Sequence, residues 1–191
     1  GVTGKGGRVD VSLIETAIDL QFEHLSVHLN RGGAMPARSE LANGNVYLAA
    51  PYGIYATADG YLALAMTPVD RLGEVIDLPA LAGFPADRWF ADRDAIKALI
   101  RDHLRTRATA DWLALLEPAG IWAAPVLDWP ALMAEPAFAA LDATQQVRSP
   151  DGAALTLTRC PIRVDGAILT SPRAAPRLGA DRLSIDRELG Q

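Results

Sequence analysis

The strongest constraint on the fold is a β-hairpin signal around Asp59-Gly60. Runs of aromatic and aliphatic residues, 52–58 and 61–66, flank this pair. Asp-Gly between two such runs is typical of a two-residue hairpin turn. Strands joined so closely pair antiparallel, so the sequence predicts a small antiparallel sheet in the middle of the chain.

One long helix is predicted before the hairpin. Ser12 followed by Glu15 is a capping-box pattern, which marks a helix N-terminus. Apolar residues then recur every three or four positions as far as Leu29, and Arg31-Gly32-Gly33 ends the pattern. This spacing predicts a single amphipathic helix that ends before Arg31.

Helices and strands after the hairpin do not alternate regularly. Pro68 leads into a short helix, and Asp92, Thr109 and Asp128 are candidate N-caps of three more. Gly120 follows the end of the Thr109 helix, where a left-handed residue is favoured. A Pro- and Arg-rich tail from residue 167 is predicted to wrap a surface, and short strands are predicted at 121–127, 155–158 and 162–164. This order favours an α+β fold over a doubly wound sheet.

Charge and composition argue against several classes of protein. The chain has 191 residues with 18 Lys and Arg against 23 Asp and Glu, a net charge of −5, so it lacks the basic surface of a nucleic-acid-binding protein. No apolar run approaches the roughly 20 residues that span a bilayer, and we expect no membrane partner. The single Cys160 excludes an internal disulfide and leads us to expect a cytoplasmic location.

Few residues suggest chemistry by themselves. His24 and His28 are four positions apart on the predicted helix, but no third metal ligand lies near them in the sequence, and we expect no metal site. The stretch Gly4-Lys5-Gly6-Gly7 lacks the spacing of a phosphate-binding loop. Cys160 has no nearby histidine to activate it. No catalytic residue is therefore predicted within the chain.

Several stretches form an ordered set along the chain: TGKGGRVDVSL (3–13), YATADGY (55–61), DRWF (87–90) with Arg93, the segment from Trp112 to Ile121 with APV (124–126), PRLG (176–179) and ELG (188–190). This ordered set resembles the class III CoA-transferases. The family includes formyl-CoA transferase, L-carnitine CoA-transferase and the 2-methylacyl-CoA racemases.

The resemblance implies that the chain is the C-terminal half of a longer protein. Residues 1–30 would supply a helix of a large Rossmann-like domain, 31–50 a linker and loop, and 51–145 the small α+β domain. Residues 146–191 would return to the large domain. The nucleophilic aspartate of the transferases would lie upstream of Gly1, so we expect this chain alone to be inactive.

The resemblance also suggests where substrate is bound. A loop of formyl-CoA transferase that closes over its site corresponds to 43–53 here, which makes Asn43, Gly44, Asn45 and Gly53 candidate substrate residues. Tyr52 matches a substrate-side aromatic residue of the racemases, although strands also favour tyrosine for packing alone.

Thr67 favours a transferase over a racemase. It stands before Pro68, where the racemases have a glutamate, and threonine cannot remove a proton from an α-carbon as a carboxylate can. The predicted reaction exchanges CoA between an acyl-CoA and a small carboxylic acid. CoA thioester is the substrate, no bound cofactor is expected, and the family's dimers are interlocked. A racemase-like isomerase and a non-catalytic interaction or dimerisation fragment remain as alternatives.

Overall fold

The computed structural model describes residue 4, residues 6–42 and residues 44–190. The chain divides into two compact units, Gly1–Val126 and Leu127–Gln191. Both contain helices and small antiparallel sheets, which confirms the predicted α+β class. Within the described residues, no helix combines the length and the apolar character needed to cross a bilayer.

The first unit contains five α-helices, two short 3-10 helices and one sheet within the described residues. The helices are α1 (Leu13–Asp19), α2 (Phe22–Asn30), α3 (Val69–Val75), α4 (Arg93–Leu104) and α5 (Thr109–Leu116), with 3-10 turns at Pro79–Gly83 and Ala86–Arg88. The sheet has the order β1 (Gly53–Ala56), β2 (Tyr61–Leu64) and β3 (Ala123–Pro125), all antiparallel.

The prediction of one continuous helix before residue 31 is wrong, because the helix is interrupted at Leu20 and Gln21. Ser12 does form the predicted N-cap, and its side chain accepts from the Glu15 amide at 3.2 Å. At the interruption the Gln21 amide bonds to the Ile18 carbonyl, only three residues back. The Gln21 side chain donates to the Ala17 carbonyl at 3.2 Å, which satisfies an acceptor at the end of α1.

The hairpin is confirmed, but its turn differs from the predicted one. Ala56 pairs with Tyr61, so four residues connect the strands, and Gly60 has no left-handed backbone. The Gly60 amide donates to Thr57 Oγ1 at 3.1 Å, and the Thr57 amide donates to the Gly60 carbonyl at 2.9 Å. A threonine side chain therefore closes this turn in place of a backbone acceptor.

Asp59 of this turn caps helix α5 from a distance. Its Oδ1 accepts from the Thr109 amide at 2.8 Å and from Thr109 Oγ1 at 2.9 Å. Thr109 is thus the first residue of the helix, and the predicted capping role belongs to Asp59. These hydrogen bonds, the Thr109 amide foremost, lower the pKa of Asp59.

Acid should weaken the first unit through this cap. Because the folded-state pKa of Asp59 is lowered, its stabilisation is present above the usual pKa of about 3.9 and is lost as the pH falls through the folded value. We expect the thermal midpoint to decrease below about pH 4 and to decrease less steeply in Asp59→Ala. Asp111→Ala, an exposed change on the same helix, is the control. Equal pH profiles for all three proteins would contradict the capping role.

The two remaining predicted N-caps, Asp92 and Asp128, both precede a helix, but only Asp128 caps it with its side chain. Asp128 accepts from the Ala131 amide at 2.9 Å as predicted. Asp92 precedes α4, yet its carboxylate pairs with Arg88 and does not cap the helix. Gly120 has the expected left-handed backbone, with φ of 72°.

The core of the first unit lies between the sheet and helices α3, α4 and α5. Its largest fully buried side chains are Trp112 and Tyr55, and the Trp112 indole donates to the Leu104 carbonyl at 2.8 Å. Aliphatic side chains from all three helices complete this core: Val69, Leu72, Ile96, Ile100, Leu104 and Leu116. One face of the sheet is therefore covered, which leaves the other face open.

The second unit consists of three helices and two hairpins in the described part of the chain. The helices are α6 (Trp129–Ala134), α7 (Pro136–Leu141) and α8 (Arg182–Glu188), and the hairpins are β4 (Thr144–Arg148) with β5 (Ala154–Thr158) and β6 (Arg163–Val164) with β7 (Ala167–Ile168). The sequence patterns do not predict strands β4 and β7 or helices α7 and α8, since β4 is polar, β7 has two residues, α7 has six and α8 lies in a Pro- and Arg-rich tail. Asp165-Gly166 forms the left-handed two-residue turn predicted for Asp59-Gly60.

Candidate functional site

The open face of the three-stranded sheet carries small apolar side chains in register. On β1 and β2, the core-facing side chains are the buried Tyr55, Leu62 and Leu64, and they alternate with residues on the open face. Ile54 on β1 pairs with Ala63 on β2, and Ala63 pairs with Ala124 on β3. Because side chains on a strand alternate between faces, these three paired residues form a row across the uncovered side.

A cleft of about 400 Å³ lies on this open face and is called the sheet cleft below. Its lining is almost entirely apolar: Gly44, Tyr52, Gly53, Ile54, Ala63, Leu64, Ala65, Trp122, Ala123 and Ala124. Trp122 lies at one edge and is 82% exposed. None of these lining residues carries a charged group, and their polar side-chain atoms are the Tyr52 hydroxyl and the Trp122 indole N–H, so the cleft is suited to an apolar group.

Two glycines allow the chain to close around this cleft. A Cβ on Gly53 would lie 2.1 Å from the Ala42 carbonyl oxygen, a distance that no real contact permits. A Cβ on Gly44 would lie 2.6 Å from Cε1 of Tyr52. The loop before β1 therefore approaches the strand more closely than any residue with a side chain would allow.

The predicted substrate residues fall into three groups. Gly44, Tyr52 and Gly53 lie together in the sheet cleft. Asn45, whose Oδ1 accepts from the Tyr47 amide at 2.9 Å, and the half-buried Thr67 are not among the cleft-lining residues. Asn43 lies outside the described residues. Contact of any of them with substrate stays a prediction.

The opposite side of the cleft was not predicted. Trp122, Ala63 and Ala124 are brought to it by strand pairing between residues that are far apart in the sequence. The tryptophan within the predicted strand 121–127 was the available signal, because aromatic side chains contribute strongly to binding surfaces.

Helix α4 holds the loop that leads to the cleft. Asp94 Oδ1 accepts from Ser39 Oγ at 2.6 Å and from the Glu40 amide at 2.9 Å. The Arg93 guanidinium donates to the Ala37 carbonyl at 3.0 Å. The Ser39 hydrogen bond is the main reason that the pKa of Asp94 is lowered, so the carboxylate stays ionised as an acceptor.

Lys97 continues this contact on the next turn of α4. Its side chain is fully buried, and its Nζ donates to the Ala42 carbonyl at 3.3 Å. Burial lowers the pKa of Lys97, and the nearby Asp94 charge opposes that change.

Tyr55 supports the cleft from the core side. Its hydroxyl donates to the Pro51 carbonyl at 2.6 Å, directly before Tyr52. Burial raises the pKa of Tyr55 well above its usual value, so the hydroxyl keeps its proton and remains a donor.

The two histidines of α2 contact the following loop. His28 Nδ1 lies 3.0 Å from the Ala34 carbonyl oxygen, and the His24 ring lies 5.7 Å from the Tyr47 ring between centroids. Among the described residues, no group of three or more His, Cys, Asp or Glu side chains is arranged to hold a metal ion.

Fold and site together define an α+β protein with an apolar cleft on the open face of a small sheet. The sequence model of CoA-transferase family III matches residues 1–182. The chain belongs to this family.

Named relatives share this assignment. The chain is 30% identical over 134 residues to an acetyl-CoA:oxalate CoA-transferase of Acetobacter aceti, covering 66% of this chain and 33% of that protein. It is 26% identical over 152 residues to the probable fatty acyl-CoA transferase Rv3272 of Mycobacterium tuberculosis, covering 73% of this chain and 39% of that protein. The chain thus spans between a third and two fifths of the length of these curated relatives.

Solved structures show the same fold. A CAIB/BAIF family protein from Brucella suis superposes with a TM-score of 0.68 at 26% identity, covering 98% of this chain and 49% of that one. The orthorhombic form of Rv3272 superposes with a TM-score of 0.64 at 23% identity, covering 95% and 48%. The chain spans about half of each.

Proposed function

We propose that the sheet cleft holds the acyl end of a CoA thioester during CoA transfer between an acyl-CoA and a small carboxylic acid. The observation that carries this proposal is the convergence of Gly44, Tyr52 and Gly53, matched to the family's substrate-side residues, on one apolar cleft. A volume of about 400 Å³ is within the range of small-molecule sites, about 300–1,000 Å³, and suits an acyl group better than a whole CoA.

The cleft would shelter the reaction without performing the covalent step. In the mechanism that the resemblance implies, an aspartate attacks the thioester to give a mixed anhydride and CoA thiolate. The thiolate then attacks the enzyme carbonyl and displaces the acyl group as its carboxylate, which leaves an aspartyl-CoA thioester. An apolar wall excludes the water that would hydrolyse the anhydride. The aspartate would come from upstream of Gly1, so this chain alone is proposed to be inactive.

The same proposal assigns the parts of the chain. Residues 51–145 would form the small domain, 31–50 its linker and loop, and 1–30 and 146–191 would belong to the large domain. The full-length protein is proposed to be an interlocked, cytoplasmic homodimer. Thr67 in place of a glutamate and the transferase names of the relatives favour transfer over racemisation.

A non-catalytic interaction role has one observation in its favour. Helices α1 and α2 expose large apolar side chains, among them Leu13 at 91% and Phe22 at 68%. Apolar side chains exposed this closely together are typical of a surface that another chain or domain covers. This role predicts association through α1 and α2 and no ligand in the sheet cleft.

Filling the cleft should weaken acyl-CoA binding. We expect acetyl-CoA to shift the indole N–H resonance of Trp122 in an NMR titration of this chain. Ala124→Phe places a ring on the cleft floor and should weaken that binding at least about tenfold, equivalent to roughly 1.4 kcal/mol. Ala110→Phe, an exposed change on α5, should leave it unaltered. No shift at Trp122 in the unmodified chain, or equal affinity in both variants, would contradict the proposal.

A further inference from the structure

The apolar pattern of helix α4 does not explain the lysine at position 97. Ile96 and Ile100 are fully buried on the same helix, and Lys97 is buried to the same extent. A buried ammonium group is unfavourable unless a polar partner satisfies it. The partner given by the structure is the Ala42 carbonyl oxygen, which lies in the loop and not in the core.

That carbonyl is enclosed from two sides. Ala42 has a left-handed backbone with φ of 46°, which is uncommon for a residue other than glycine. Its oxygen faces Gly53 so closely that a Cβ there would lie 2.1 Å away. The Lys97 ammonium approaches the same oxygen and stabilises this unfavourable conformation.

The position of the Ala42 carbonyl also affects the sheet cleft, because the cleft residue Gly44 follows Ala42 by two positions. Gly44 lies against the Tyr52 ring, and both residues line the cleft. Because Gly44 is two residues from Ala42 in the chain, the position of Ala42 restricts where Gly44 can lie against Tyr52. The Asp94–Ser39 hydrogen bond fixes the other end of the same loop segment, residues 39–42.

We propose that Lys97 is a positioning residue for the sheet cleft: its ammonium group holds the Ala42 carbonyl against β1 and thereby fixes the wall formed by Gly44 and Tyr52. Asp94 assists at Ser39. The inference rests on the proposed function for the identity of the ligand, while the positioning is a property of the unliganded chain.

Hydrogen exchange measures this positioning without a ligand. Lys97→Met keeps the length and volume of the side chain but removes the donor, and it should accelerate amide exchange in peptides covering residues 39–50 about tenfold, the effect of one lost hydrogen bond to a charged group. Ser39→Ala releases the other end of the segment and is a second test less prone to unfolding. Ile100→Val is the matched control, a core change on α4 that should not selectively affect 39–50.

Acetyl-CoA titration separates the two proposals. In Lys97→Met we expect faster amide exchange in residues 39–50 together with weaker acetyl-CoA binding. Ile100→Val should retain the affinity of the unmodified chain. The positioning role would be overturned if amide exchange in Lys97→Met were no faster than in Ile100→Val. It would also be overturned if exchange were faster but the affinity for acetyl-CoA were unchanged. If the segment loosens but the unmodified chain binds no acetyl-CoA, the positioning of the loop stands and the proposed ligand is wrong.

Discussion

Gly53→Ala should destabilise the first unit by about 3 kcal/mol, near the upper end of the usual cost of overpacking. The new Cβ would lie 2.1 Å from the Ala42 carbonyl oxygen and 3.1 Å from the Ala42 carbonyl carbon. These are backbone atoms, and Lys97 holds that oxygen from the other side, so the loop cannot yield by a simple rotamer change. Urea denaturation followed by circular dichroism measures the change in the free energy of unfolding.

A second glycine provides the control for this substitution. Gly83 ends the 3-10 turn Pro79–Gly83 and is exposed, and a Cβ added to it would have no atom within 4 Å. Gly83→Ala should therefore change the free energy of unfolding by less than about 0.5 kcal/mol. Similar values for the two variants would show that the loop does not approach β1 as closely as described. A loss confined to Gly53→Ala should be accompanied by loss of acetyl-CoA binding.

Local signals predicted the elements whose determinants are close in sequence. Ser12 and Asp128 cap helices because each side chain reaches an amide only three residues ahead. Gly120 ends its helix because glycine alone takes the left-handed backbone without strain. The fold class followed from the order of such elements.

The two Asp-Gly pairs show where local signals are insufficient. Asp165-Gly166 forms a left-handed two-residue turn, whereas Asp59-Gly60 does not. The difference lies 50 residues away, because the Asp59 carboxylate bonds to the amide and hydroxyl of Thr109. A tertiary hydrogen bond of this kind selects between turn types that the dipeptide alone leaves open.

The site was predicted in part for the same reason. Family similarity indicated Gly44, Tyr52 and Gly53, which lie close in sequence, in one loop and at the start of the strand that follows it. Trp122 joins them only through the pairing of β2 with β3, which depends on strand register. In the sequence, Lys97 is indistinguishable from an exposed lysine on a helix. Its buried contact with Ala42 could not be predicted, because the two residues are 55 positions apart.

Trp112→Ala should be the most destabilising single change in the first unit, at about 4 kcal/mol. The side chain is fully buried, its ring centroid lies 5.2 Å from that of His103, and the Arg107 guanidinium lies 4.9 Å from the ring. Since domains of this size have a total stability of about 5–15 kcal/mol, a loss of this size removes a large part of the margin. Urea denaturation followed by circular dichroism at 222 nm measures it independently of tryptophan fluorescence.

Two further variants separate the volume of Trp112 from its hydrogen bond. Trp112→Phe retains a ring but leaves the Leu104 carbonyl without the indole donor, and the loss should be about 1–3 kcal/mol from that unsatisfied acceptor and the smaller ring together. Trp129→Ala removes an indole that is 78% exposed in the second unit, and it should change the free energy of unfolding by no more than about 0.5 kcal/mol. If Trp112→Ala were as mild as Trp129→Ala, Trp112 could not lie in the core that supports the sheet. The assignment of Ile54, Ala63 and Ala124 to the open face would then fail, because it requires the opposite face of the sheet to be the one that packs against the Trp112 core.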